Sequence, residues 1–274
     1  MQPLKNKTVF ISGASRGIGL EIGLRCAQDG ANIVIAAKTA EVDPRLPGTI
    51  YTAAKAIEAK GGNALPLIVD VRDENAIQQA VQKTVDQFGG IDILVNNASA
   101  LFLSPSILET PMKRFDLVAA VNGRATFACS QACLPFLRKA NNPHILTLSP
   151  PINLNKKHFN GNLAYTISKY NMSLCTLGLS VELAKDGVGV NSLWPKYVVA
   201  TTAVQLKLPD VVYQAALSPS IVADAAYEIF TKDSKLCTGN FFLDEEVLLA
   251  GGLSNIDGYK LNPKLEPVLD WYIS

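Results

Sequence analysis

Histidine is scarce in this chain, with two among 274 residues, and the five cysteines form no Cys-x-x-Cys pair. Metal: none is the expectation, because a centre built on paired thiols or imidazoles lacks its ligands. The cysteines (Cys26, Cys129, Cys133, Cys175, Cys237) are odd in number and read as small buried hydrophobes rather than a disulfide framework. No run approaches the roughly 18 apolar residues that a membrane span needs. Neither sign of charge dominates: 25 Lys and Arg face 24 Asp and Glu, for a net charge of +1. A nucleic-acid partner would call for a basic face or stripe, so none is expected. Met1 to Lys7 run directly into a strand-like segment, leaving no room for a signal peptide's apolar region. Trp271-Tyr272-Ile273-Ser274 is not a peroxisomal address of the Ser-Lys-Leu kind. The expectation is a cytoplasmic, soluble protein.

What is present is apolar: 48% hydrophobic against 18% charged residues, enough for a substantial core. The length suits one α/β domain over 1–274. Short β-branched and aromatic runs recur at 8–11, 32–37, 65–69, 91–95, 144–148, 188–193 and 241–243. They are too apolar to alternate, as expected of parallel strands covered on both faces. Helical spacing lies between them at 17–29, 74–88, 119–139, 163–185 and 221–231. The fold class predicted is α/β, a Rossmann-type doubly wound parallel sheet of about seven strands with helices on both faces. Residues 39–48, with Pro44 and Pro47, read as a loop inserted after the second strand. Residues 195–220, with Pro209 and Pro219, read as a flap over a substrate.

The first strand ends in Gly13-Ala14-Ser15-Arg16-Gly17-Ile18-Gly19, which opens the first helix. Gly13 permits the tight turn, Gly17 a close backbone approach to pyrophosphate, and Gly19 close helix–strand packing. The helix N-terminus then offers unpaired N–H groups and a positive dipole end to phosphate. An NAD-binding protein usually ends its second strand in an acid that takes the ribose 2′-OH. Here the segment reads Ala36-Ala37-Lys38-Thr39, and Lys38 with Arg16 would instead neutralise a 2′-phosphate. The expected cofactor is NADP(H).

Tyr165 and Lys169 stand four apart, so on a helix they share a face. A phenol with a pKa near 10 is a poor acid–base group at neutral pH. An ammonium 4–6 Å away at moderate dielectric, interacting by roughly 3 kcal/mol, would lower it by about two units.

The spacing Gly-x-x-x-Gly-x-Gly, the Asn96-Asn97-Ala98 run and Tyr165-Thr166-Ile167-Ser168-Lys169, in that order, resemble the short-chain dehydrogenase/reductase family. The resemblance runs nearly end to end. It implies that Tyr165 gives a proton to a substrate carbonyl during reduction and takes one during oxidation. Lys169 would lower the Tyr165 pKa and hold the nicotinamide ribose. Asn122 matches the family's helix asparagine, which supports a water relaying protons to the lysine. Asp70 and Val71 match the adenine-contacting position, Asn97 and Ala98 the cofactor-side turn. Pro195 and backbone near Val198 would meet the nicotinamide. The two long helices at 119–139 and 163–185 imply a homodimer or homotetramer.

Departures from the family pattern are as informative. The fifth strand usually ends in a Ser-Ser pair whose second hydroxyl binds the substrate oxygen. Here Leu148-Ser149-Pro150-Pro151 puts proline at that place. Ser149 is the expected substitute, with Asn153 and Asn155 as alternatives; losing such a donor costs about 10²–10³ in rate. Ser99 replaces the usual glycine after Asn96-Asn97-Ala98, and Trp194-Pro195-Lys196 replaces a Pro-Gly turn. Apolar residues at 197–199, 206 and 208 suit an apolar, fatty-acyl-like carbonyl or alcohol substrate. Two functions are therefore expected in competition. One is an NADP(H)-dependent oxidoreductase. The other is an NADP(H)-binding sensor or scaffold that lost turnover with its serine.

Overall fold

A computed structural model describes residues 2–44 and 46–273. The strands are β1 (Thr8–Ser12), β2 (Asn32–Ala37), β3 (Asn63–Ile68), β4 (Ile93–Asn96), β5 (His144–Leu148), β6 (Gly189–Trp194) and β7 (Phe241–Leu243). The helices are α1 (Gly17–Ala27), α2 (Ile50–Ala59), α3 (Glu74–Phe88), α4 (Met112–Val118), α5 (Ala125–Leu137) and α6 (Leu163–Glu182). They continue with α7 (Thr202–Lys207), α8 (Asp210–Gln214), α9 (Ser220–Phe230) and α10 (Asp244–Ala250). The seven strands form one parallel sheet in the order 3-2-1-4-5-6-7. The predicted Rossmann-type fold is thus present.

Every residue of β1, β2, β4, β5 and β6 is buried, while the edge strands β3 and β7 are not. Two apolar layers account for this. Ile22, Ile50, Ile57, Ile221 and Phe230 cover one face of the sheet; Ile77, Val81, Cys129, Cys133 and Leu137 cover the other. The chain reverses its winding direction between β1 and β4, and in such sheets a ligand crevice opens at that switch point, beyond the strands' carboxyl ends.

Three segments differ from the expected pattern. Helix α2 follows the inserted loop, started by a capping box in which Thr49 and Thr52 exchange hydrogen bonds. The helix expected from Ala119 begins earlier, at Met112, and is interrupted by a π-helical turn over Ala119–Arg124. Residues 195–220 carry α7 and α8 rather than an irregular flap. Among the described residues no helix is long and apolar enough to cross a membrane.

Candidate active site

The glycine turn is built to keep atoms out. Gly13 has φ +74°, and a Cβ there would stand 2.9 Å from the Ala98 Cα. A Cβ on Gly19 would stand 2.4 Å from Asn97 Nδ2. That amide is already committed, donating to the carbonyls of Ser12 at 2.9 Å and Gly13 at 3.1 Å. The Ser12 hydroxyl in turn accepts from the N–H groups of Asn97 and Ala98, both at 3.1 Å. Helix α1 starts at Gly17 with no side-chain cap from Arg16 and no acid in its first turn. Such an end suits a phosphate, so the cradle fits a dinucleotide. Ser15 is buried beneath the turn and Ile18 reaches the neighbouring cavity.

Beside the glycine turn, Arg16 donates to the carbonyls of Pro47 and Gly48 at 2.8 Å each, clasping the inserted loop. Lys38 is exposed at the end of β2. Asp70 pairs with Arg72 at 2.5 Å, which holds its carboxyl below the usual range, and Val71 is buried beside it.

At the far end lies a cavity of about 260 Å³, walled by Leu101, Leu103, Val198, Val204 and Leu208 among others. Tyr165 and Lys169, one turn apart on α6, both open into it. Lys169 is 2% exposed; its Nζ donates to the Leu148 carbonyl at 2.6 Å and sits 4.8 Å from the Trp194 ring centre. Burial pushes this ammonium down to about 7, while the Asp270 carboxylate opposes that fall. The lowered phenol expected for Tyr165 is absent: burial pushes it up, the Asp270 charge adds to the rise, and only the Ser99 side chain pulls it down. Protonated Tyr165 is therefore the resting form at neutral pH.

Asn122 sits in the π-helical turn and is fully buried. Its Oδ1 accepts from Ala100 N at 2.7 Å, and its Nδ2 donates to Ala100 O at 3.2 Å and Ser168 Oγ at 2.8 Å. Ser168 donates onward to the Tyr165 carbonyl at 2.7 Å. One amide thus joins the loop after β4 to the helix that carries Tyr165.

The short chain dehydrogenase family profile matches residues 7–210. The chain belongs to the short-chain dehydrogenase/reductase family. It is 54% identical to hydroxysteroid dehydrogenase-like protein 2 of Xenopus laevis over 97% of this chain and 63% of that protein. Identity to the protein of the same name from Homo sapiens is 54% over 93% of this chain and 60% of that one. The chain therefore spans under two thirds of these relatives' length. Among solved structures, a short chain dehydrogenase from Mycobacterium thermoresistibile superposes with a TM-score of 0.93 at 50% identity, covering 99% and 96% of the two chains. A candidate dehydrogenase from Xanthomonas campestris reaches 0.96 at 50% identity, covering 99% of each.

Within this short-chain dehydrogenase the residue proposed to replace the missing serine faces elsewhere. Ser149 is 0% exposed, and its hydroxyl pairs with Ser192 Oγ at 2.9 Å, outside the cavity wall. Ser192 donates to the Ser149 carbonyl as well. Asn153 and Asn155 also lie outside the wall. Pro195 and the Val198 side chain do line the cavity. The Val198 peptide groups are engaged, however, its N–H with Val268 O at 2.8 Å and its C=O with Leu217 N at 2.9 Å.

The site also holds residues that sequence reasoning missed. The segment 268–273 folds back over the cavity, bringing Asp270, Trp271 and Tyr272 into its wall. The Trp194 indole donates to Asp270 Oδ1 at 2.6 Å, and His158 Nδ1 meets the Trp271 carbonyl at 3.0 Å. Tyr272 packs edge-on against Trp194 and beside Tyr165 and Tyr170. Asn162, in the left-handed region at φ 54°, caps the loop by accepting from Ser104 N at 2.8 Å. Only the aromatic density of Trp271-Tyr272 hinted at this, since contact over a hundred residues leaves no local pattern.

Proposed function

We propose that the protein is an NADP(H)-dependent reductase and dehydrogenase that interconverts a carbonyl and a secondary alcohol on an apolar or fatty-acyl-like substrate. The observation that carries this is the placement of Tyr165 and Lys169 together at the floor of an apolar-walled cavity beside the dinucleotide crevice. A nicotinamide dinucleotide, when bound, supplies or accepts the hydride at the carbonyl carbon. Gly13, Ser15, Arg16, Gly17, Ile18, Gly19, Asn97 and Ala98 are the residues assigned to hold its phosphate side, with Asp70 and Val71 at the adenine. Pro195 and Val198 belong to the nicotinamide end. Lys38 and Arg16 favour a 2′-phosphate over a bare hydroxyl, as a lysine and no acid stands at the end of β2 and Arg16 adds a second cation from the glycine turn.

Tyr165 keeps its proton at neutral pH and gives it to the carbonyl oxygen as that oxygen gains charge. Lys169 holds the ribose side of the floor and supplies a nearby positive charge. Asn122 fixes Tyr165 and the loop after β4 relative to one another. The apolar walls exclude water, which strengthens each of these interactions. Exposed apolar residues on α5 and α6, namely Phe127, Leu174, Leu177 and Val181, support a homodimer or homotetramer through these helices. We treat 1–274 as one domain, and its five unpaired thiols fit a reducing compartment such as the cytoplasm.

A second reading, a cofactor-binding sensor with little turnover, is favoured by one observation: the Ser149 hydroxyl is turned into the core. Product analysis separates the two. A ketone or 3-ketoacyl thioester converted to its alcohol with matching NADPH loss supports the enzyme. Tight NADPH binding with no product across ketones, aldehydes, 3-ketoacyl thioesters and steroids supports the sensor.

A further inference from the structure

Carbonyl reduction leaves one role at this site unfilled. An oxygen that gains charge in the transition state is stabilised by donors aimed at it, and Tyr165 supplies one. Ser149 is sealed against Ser192, and Pro150 has no side-chain donor. Three other donors of the cavity wall are committed. Asn97 Nδ2 holds the glycine turn, Trp194 Nε1 holds Asp270, and Lys169 Nζ holds the Leu148 carbonyl. Thr201 and Asn162 serve as acceptors, taking the N–H groups of Val204 and Ser104, and neither side chain acts on the Tyr165 phenol.

Ser99 differs from all of these. It is exposed and lines the same cavity as Tyr165, whose phenol its side chain pulls down against the effect of burial. The peptide before it is fixed by Ser12 through Ala98 N, and the residue after it by Asn122 through both peptide groups of Ala100. A hydroxyl held between two anchored neighbours is pre-organised, losing little freedom when a ligand arrives. The same Asn122 amide reaches Tyr165 through Ser168, so the two hydroxyls are positioned from one point.

We propose that Ser99 is the second hydrogen-bond donor to the substrate carbonyl oxygen, taking over at the end of β4 the role vacated at the end of β5. The inference rests on the carbonyl-reductase reading above. As the new C–H bond forms at the carbonyl carbon, the C=O π pair moves onto oxygen. The Tyr165 proton follows it, and the reduced nicotinamide dinucleotide is oxidised by two electrons. Ser99 keeps its proton throughout, so its contribution is contact with the reacting oxygen rather than transfer.

The experiment compares wild type with Ser99→Ala, Ser99→Thr, Ser149→Ala and Tyr165→Phe. The probes are 2,3-butanedione and acetoacetyl-coenzyme A, with NADPH affinity followed by fluorescence. The carbonyl stretch of the bound diketone is also recorded by infrared difference in complexes with oxidised cofactor. Ser99→Ala is expected to lose about 10²–10³ in kcat with NADPH affinity unchanged. Ser99→Thr recovers most of that loss. The carbonyl stretch, lowered on binding to wild type, rises in Ser99→Ala. The inference is overturned if Ser99→Ala keeps wild-type kcat and stretch, if the loss falls on Ser149→Ala instead, or if only NADPH affinity changes. Turnover that survives in Tyr165→Phe, or is absent from wild type, defeats the parent reading instead, and the infrared shift still reports on Ser99.

Discussion

The Trp194 indole N–H donates to Asp270 Oδ1 at 2.6 Å, and this bond ties the end of β6 to the C-terminal segment beside Lys169. Burial holds the Asp270 carboxyl up at about 6 and the Lys169 ammonium down at about 7, each opposing the other's shift. Above pH 6 the ionised Asp270 favours charged Lys169. Replacing Asp270 with Asn removes that support, so the Lys169 proton leaves at lower pH. The alkaline limb of kcat/KM, which reports the free enzyme, is expected to move acidward in Asp270→Asn. A limb that stays in place or moves toward alkali contradicts the coupling.

Gly19→Ala tests the cofactor cradle. The added Cβ lies 2.4 Å from Asn97 Nδ2 and 3.0 Å from the Gly13 carbonyl, so the side chain that pins the turn must move. NADPH affinity is expected to fall on the order of tenfold or more, about 1.4 kcal/mol. Circular dichroism should show the helices retained. Unchanged NADPH affinity in a fluorescence titration would show that the cradle lies elsewhere.

How much of this was legible from residues alone differs by element. The parallel strands were, because their continuous apolar runs follow from burial on both faces, and β5 and β2 fall where expected. The glycine turn and the Tyr165–Lys169 face follow from local spacing. Helix α2 was overlooked although Ile50, Ala53, Ala54 and Ile57 carry helical periodicity and Thr49 caps it. The position of Ser149 was not legible, because whether a strand-end hydroxyl faces the cavity or Ser192 depends on the register of β6. Asp270 was not legible either, since it arrives from the far end of the chain.

Cofactor choice is tested at the end of β2. Lys38 is exposed, so Lys38→Ala should leave stability nearly unchanged. NADPH affinity is expected to weaken about tenfold, with NADH affinity unaltered. Equal losses for both cofactors, or tighter NADH than NADPH binding to wild type, contradict the assignment.

His144 offers a check on the fold. It is 1% exposed, with Nε2 against the Lys232 carbonyl, and burial pushes its pKa down from 6.5 to about 4. Between these values the unfolded chain binds a proton that the folded one does not, so its contribution to stability falls as pH drops from 6.5 toward 4. The total is roughly 3 kcal/mol. Comparing urea unfolding of wild type and His144→Gln at pH 7.5 and 4.5 cancels the opposing carboxylates. The wild-type advantage should shrink at the lower pH; an advantage independent of pH would show that His144 does not titrate this way.

The most direct test of the whole account is NADPH consumption by wild type and Tyr165→Phe across ketones, aldehydes, 3-ketoacyl thioesters and steroids. The account predicts turnover of at least one apolar carbonyl by wild type, abolished in Tyr165→Phe while NADPH binding persists. Turnover that survives removal of the phenol hydroxyl would contradict it.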